Sequence, residues 1–118
     1  MSASSSTPSH LSITPLAVVE NRGRLAVAGE IDLATSGELT AALADALEGP
    51  PLAVLEVDFG GVRFLDSSGI LALVRAHGRA AQQGCRLTVT DVQPTVRRVL
   101  EITGVLTTLG LDVTSPAC

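Results

Sequence analysis

Apolar and polar positions alternate loosely from Leu11 to Glu20, in a stretch rich in Leu, Ile and Val. This predicts an edge strand, weakened by Pro15, which has no N–H for a ladder. Asn21-Arg22-Gly23 supplies turn residues, and Arg24 to Ile31 resumes as a strand. Two such runs joined by a glycine-containing turn read as a hairpin. Asp32 to Ser36 reads as a loop into a helix, where Thr35 followed by Glu38 matches a capping box. Leu39, Ala42, Leu43, Ala46 and Leu47 then recur at helical spacing, and Gly49-Pro50-Pro51 stops the helix. Leu52 to Val57 is almost continuously apolar, the pattern of a strand covered on both faces.

Asp58 to Arg63, with Gly60 beside Gly61, reads as a loop. A helix is predicted over Ser68 to Gln83, with Ile70, Leu73, Val74, His77 and Ala81 along one stripe and Gly84 as its stop. Arg86 to Thr90 alternates as a strand. Pro94 opens a short helix at a position where its missing N–H costs nothing. Val96, Val99 and Leu100 face inward, Gly104 closes that helix, and Val105 to Leu111 predicts a last short strand.

Strands alternating with helices predict an α/β fold: a mixed, mainly parallel β-sheet with an N-terminal antiparallel hairpin and helices packed on it. One domain spans residues 11–111. The Ser-rich stretch Met1 to His10 reads as a disordered arm, and residues 112–118 as a frayed tail. No internal repeat or linker divides the chain.

At 118 residues and 46% hydrophobic, the chain suits one core. That core is aliphatic, because Phe59 and Phe64 are the only aromatics. The lack of Tyr and Trp and the net charge of -4 argue against direct nucleic-acid binding, which favours stacking platforms and basic faces. The absence of Lys removes Schiff-base chemistry and the phosphate-binding lysine of nucleotide loops. Cys85 and Cys118 form no C-x-x-C pair, which fits a reducing compartment, and Cys85 reads as a small buried hydrophobe at a strand start. The first residues lack the charged and apolar regions of a secretory signal, and no apolar run approaches a membrane span. A soluble, cytoplasmic protein is expected.

Among candidate sites, His77 lies about nine residues, or roughly 13 Å, along its helix from Ser68, too far to activate a serine. Asp58 and Asp66 have no His or Cys between them to complete a metal set, and Gly60-Gly61 belongs to neither common nucleotide-loop motif. The expectation is no catalytic residue, no cofactor and no metal. What stands out is Phe64-Leu65-Asp66-Ser67-Ser68-Gly69-Ile70, between a buried strand and an apolar-periodic helix. A strand-loop-helix passage puts this stretch at the carboxyl edge of a sheet, where open α/β folds present their sites. The helix start carries free N–H groups and a partial positive charge, and a serine there becomes an anion on phosphorylation. Simple helix capping accounts for one such polar residue, not three in a row.

Gly29-Glu30-Ile31-Asp32 together with Phe64-Leu65-Asp66-Ser67-Ser68-Gly69-Ile70 resembles the two signature segments of the STAS domain, most closely that of bacterial anti-anti-sigma factors (anti-sigma factor antagonists). The resemblance runs from about Leu11 to Leu111. It implies a partner-switching regulator rather than an enzyme. The unphosphorylated form would bind an anti-sigma factor that is also an ATP-using serine kinase, freeing a sigma factor. Phosphorylation at Ser67, with Ser68 as second choice, would end binding, and a metal-dependent serine/threonine phosphatase would reset it. The implied partner-binding residues are Asp32, Leu33, Thr35, Asp66, Ser67, Ser68, Gly69, Ile70 and Leu71, with Leu33, Ile70 and Leu71 as apolar contacts. Leu33-Ala34 and Leu71 depart from the polar and small residues many relatives have there, which makes the expected surface more apolar. Two alternatives are an accessory STAS subunit regulating a transporter ATPase and a nucleotide-binding or hydrolysing domain. The missing Lys and general base count against the second.

Overall fold

A computed structural model describes residues 11–105 and 112–113. In chain order the elements are β1 (Leu11–Ile13), β2 (Ala17–Val19), β3 (Arg22–Ile31), α1 (Ser36–Glu48), β4 (Val54–Leu65), α2 (Ser67–Gln82), β5 (Arg86–Thr90), α3 (Pro94–Ile102) and β6 (Asp112–Val113). They form one sheet in the order β1-β3-β4-β5-β6, with β2 beside β1 along the same edge of β3. The first two strands run antiparallel to β3, and the β3–β4, β4–β5 and β5–β6 pairs are parallel. The mixed, mainly parallel sheet expected from the sequence is therefore present.

Pro15 does more than weaken the edge strand. It splits it, and Thr14 bridges the gap by donating its N–H to Ala26 O at 2.9 Å and accepting Ala26 N–H on its hydroxyl at 2.9 Å. The hairpin turn falls at Glu20-Asn21, earlier than expected, because Arg22 and Gly23 already pair with Val19 and Val18.

The predicted loop from Asp58 to Arg63 is strand. β4 continues unbroken to Leu65, but it carries two more residues than the β3 segment it faces: Asp58 to Leu65 lies against Ala26 to Ile31, with register shifts between Ala26 and Ala28 and between Gly29 and Glu30. Each shift is a bulge that reverses the inward phase. The buried positions consequently run Leu55, Val57, Phe59, then Val62 and Leu65, so the period of two becomes a period of three. That change of step, together with two adjacent glycines, imitates a loop in the sequence. Gly61 is required by space, since a Cβ there would stand 2.6 Å from Ala28 Cβ. Gly29 is required by conformation, with φ at 114°.

Nor is β4 covered on both faces. Leu25, Val27, Leu55 and Val57 are buried, whereas on the opposite face Arg24 pairs with Glu56 at 3.0 Å and with Asp58 at 2.6 Å. Adjacent strand residues point to opposite faces, so this strip of charge marks a face that contacts water.

All three helices contribute to one hydrophobic cluster, through Leu39, Leu43, Ala46 and Leu47 of α1, Leu73 and its neighbours in α2, and Val96 and Leu100 of α3. The buried stripe of α2 is Gly69, Ile70, Ala72, Leu73, Ala76 and Ala80. It is rotated from the predicted one: Val74 and His77 are half-buried and Ala81 is exposed. Small residues let the helix axis approach its neighbours, so the closest face carries Gly and Ala while larger side chains sit at the flanks. At its end Cys85 N–H bonds Ala80 O at 2.8 Å and Gly84 N–H bonds Ala81 O at 3.2 Å, a Schellman cap around Gly84 at φ 74°. Cys85 is buried just before β5, and burial pushes its thiol pKa up, as fits a packing residue. Pro94 opens α3 as expected, with Val99 at the margin of the core. The last strand is at Asp112–Val113, beyond the predicted stretch, of which residues 106–111 lie outside the described residues, as does the arm of residues 1–10.

Candidate functional site

Parallel strands β3 and β4 end side by side, with Ile31 opposite Leu65. Each is followed at once by an aspartate and a short passage into a helix. Asp66 N–H donates to Ile31 O at 3.1 Å, which ties the second passage to the end of the first strand. The two segments, widely separated in sequence, therefore meet at one sheet edge.

In the first passage the Asp32 carboxylate accepts N–H bonds from Ala34 at 3.0 Å and Thr35 at 3.1 Å. Thr35 is buried, with 4% of its surface exposed. Its hydroxyl donates to Glu30 O at 2.8 Å and accepts Asp32 N–H at 3.0 Å. The predicted capping box is thus not formed by Thr35, whose side chain makes no bond to the helix it precedes. The hydroxyl points back into the strand end, where it satisfies the Glu30 carbonyl and the Asp32 N–H. Thr35, expected at the interface, is buried and holds the loop from within; Leu33, at 83% exposure, is what the loop displays.

In the second passage Asp66 is the N-cap of α2. Its carboxylate accepts Ser68 N–H at 2.9 Å, Gly69 N–H at 3.4 Å and the Ser68 hydroxyl. The Ser68 hydroxyl, and after it the backbone N–H groups of Ser68, Gly69 and Leu33, hold the Asp66 carboxyl below the ordinary aspartate range, against the opposing effect of burial. The Leu33 contribution couples the two passages electrostatically. Gly69 is buried, and a Cβ there would meet Leu65 Cδ1 at 2.3 Å and Ile31 Cγ2 at 2.6 Å. Glycine at this position lets the first turn of α2 sit directly on the ends of β3 and β4.

The two serines are not equivalent. Ser68 is half-buried and spends its hydroxyl on Asp66. Ser67, the first helical residue, is exposed, and its hydroxyl has no hydrogen-bond partner among the described residues. It stands in the positive field of the helix N-terminus.

Around it the exposed large apolar side chains are Leu33, Leu71 at 46% and Phe64 at 49%. Ile70 is not one of them: at 9% exposure it belongs to the core. Residue 70 follows the buried Gly69 on the inner side of α2, whereas residue 71, four on from Ser67, shares its outward face. Phe64 was missed by the pattern because the second bulge turns it outward. Beside it Arg63 reaches Glu30 at 3.7 Å across the strand ends. Asp58 is engaged by Arg24 and by Gly60 N–H, and no group of three His, Cys, Asp or Glu side chains is placed to hold a metal among the described residues. No helix among the described residues is long and apolar enough to cross a membrane.

Residues 16–111 match the family model described as "Mlab, STAS domain". An anti-sigma factor antagonist from Mycobacterium paratuberculosis is similar in structure, at 25% identity and TM-score 0.75, over 90% of this chain and 87% of that one. A sulfate transporter family protein from Wolinella succinogenes has the same fold at 20% identity and TM-score 0.70, over 85% of this chain and 81% of that one. So has the anti-sigma factor antagonist SpoIIAA, solved in its unphosphorylated form, at 17% identity and TM-score 0.65, over 92% and 89%. With the paired signature segments brought to one sheet edge and the family model covering most of its length, the chain belongs to the STAS domain family.

Proposed function

We propose that this protein is an anti-sigma factor antagonist that works by partner switching at Ser67. The observation that carries the reading is the contrast at the start of α2: Ser67 presents a free, exposed hydroxyl beside Leu33, Phe64 and Leu71, while Ser68 is tied to Asp66. In this reading the unphosphorylated face docks an anti-sigma factor serine kinase in the cytoplasm, and a sigma factor is released. Transfer of phosphate from ATP to Ser67 adds about -1.5 to -2 charge at pH 7. The helix terminus tolerates that charge, so the fold persists, whereas an interface closed over a neutral hydroxyl does not. Asp66 next door adds to the repulsion. A serine/threonine phosphatase restores the binding form. The protein is a substrate and ligand here, not an enzyme.

The test is a pull-down from lysate of the source organism with and without ATP, followed by phosphosite mapping of the bait. Recovery of a kinase-fold partner without ATP, and its loss with phosphate on Ser67 when ATP is added, is the expected result. Ser67→Ala should keep the partner through ATP addition, and Ser67→Asp should weaken binding about tenfold or more, or roughly 1.4 kcal/mol. ATP-driven release that persists in Ser67→Ala would refute the assignment. The second reading is an accessory subunit docking on a transporter ATPase; recovery of such an ATPase with no phosphate on Ser67 would select it.

A further inference from the structure

Amphipathic helices on a protein surface ordinarily carry charge on their outer face. The outer face of α2 does so at one position. Its exposed residues are Ser67, Leu71, Arg75, Gly78, Ala81 and Gln82, spaced so that they form one stripe from the Ser67 turn to the far end of the helix. Arg75 is the single charge on that stripe. A Cβ at Gly78 would meet nothing within 4 Å, so the stripe is low and open there.

Charge divides sharply between the two neighbouring helices. α1 carries Glu38, Asp45 and Glu48 and no basic residue; α2 carries Arg75 and Arg79 and no acidic one. Arg79 is satisfied within the fold, 3.5 Å from Glu48. Arg75 has no ion pair or hydrogen bond among the described residues. It lies about 12 Å along the helix from Ser67 at 1.5 Å per residue. Beside it a shallow groove of about 110 Å³ runs between the helices, with Leu43, Leu47, Ala72 and Ala76 in its lining. On this face the unpaired Arg75 is the group that complements an acidic side chain, since the Glu48 carboxylate at the end of the same helix pair is already taken by Arg79.

We infer that the outer face of α2, from Ser67 to Gln82, receives an acidic segment of the anti-sigma kinase, with Leu71 as its apolar contact and Arg75 as the cation with which it pairs. This rests on the antagonist reading and extends its interface beyond the signature residues. Arg75 sets the register of the partner along the helix, and thereby where the partner's active site stands relative to Ser67. Leu71 lies between the two and excludes water from the contact.

The experiment measures association and dissociation of the purified kinase from the pull-down at low and high salt. The proteins compared are wild type, Ser67→Asp, Arg75→Glu, Arg75→Gln and Arg98→Glu. Arg98 is an exposed cation of α3, equally without a partner among the described residues, and its reversal makes the same change in net charge. Arg75→Glu should weaken binding about tenfold or more at low salt, mainly through slower association, and Arg75→Gln by less. The gap should narrow at high salt, and Arg98→Glu should stay within about twofold of wild type. If Ser67→Asp weakens binding while Arg75→Glu stays within about twofold of wild type, or if Arg98→Glu matches Arg75→Glu, the docking face is wrong and the antagonist reading stands. If wild type does not bind the kinase, or Ser67→Asp binds as tightly as wild type, the antagonist reading fails and this inference falls with it.

Discussion

At the end of β3, Asp32 accepts backbone N–H groups and Thr35 closes the loop from inside, so the aspartate and the threonine of that passage are both engaged. At the end of β4, Asp66 performs the same service for α2, but the serine between it and its hydrogen-bond partners is left over. One junction is a scaffold that displays an apolar side chain, Leu33; the other is a scaffold that displays a hydroxyl, Ser67. The difference lies in the residue after the aspartate and in how far away the cap partner stands. What sets Ser67 apart from the other polar residues of the two junctions is that it is exposed and surplus to the local hydrogen bonding, and the proposed function rests on that difference.

Four substitutions break or sharpen this contrast. The largest effect belongs to Gly69→Ala, whose new methyl group meets Leu65 and Ile31 in a packed core. It should cost roughly 1–3 kcal/mol in urea unfolding, through overpacking. Thr35→Val keeps the shape and removes the hydroxyl, leaving the Glu30 carbonyl without its donor; about 1–2 kcal/mol should be lost, with partner binding largely retained once folded.

Asp66→Asn should cost about 1 kcal/mol at neutral pH, as loss of a charged cap does. Because the folded carboxyl titrates below its ordinary value, Asp66 stabilises the fold above the unfolded aspartate value and loses that contribution as pH falls through the folded one. The gap between wild type and Asp66→Asn should therefore shrink on acidification below about pH 4. A gap that held constant into acid would show that the carboxylate is not the active cap. The smallest effect, and of opposite sign, is expected at Gly37 in the first turn of α1, where a Cβ meets nothing within 4 Å. Gly37→Ala should gain about half a kcal/mol by thermal melting.

Much of the architecture was legible. Alternating apolar periods, Pro94 and Gly84 marked helices and strands close to where they stand, and the mixed sheet followed from their order. The errors have a common cause. The Asp58–Arg63 stretch, the phase of α2 and the role of Thr35 all depend on what lies across from a residue, which a one-dimensional pattern does not contain. A bulge is defined by the partner strand, a close helix approach by the opposing side chains, and a buried hydroxyl by the carbonyl it finds.

The site divides along the same line. The run of Asp66, Ser67 and Ser68 before an apolar-periodic helix is a local feature, and local steric and capping rules suffice to place it at a strand-to-helix turn. Tertiary structure alone decided that Ser67 rather than Ser68 is free, that Ile70 is core while Leu71 and Phe64 are surface, and that Leu33 stands beside them. These outcomes depend on the parallel register that sets Ile31 against Leu65. Hydrogen bonds and burial are properties of pairs, and the pairs exist only once the two strand ends have been brought together.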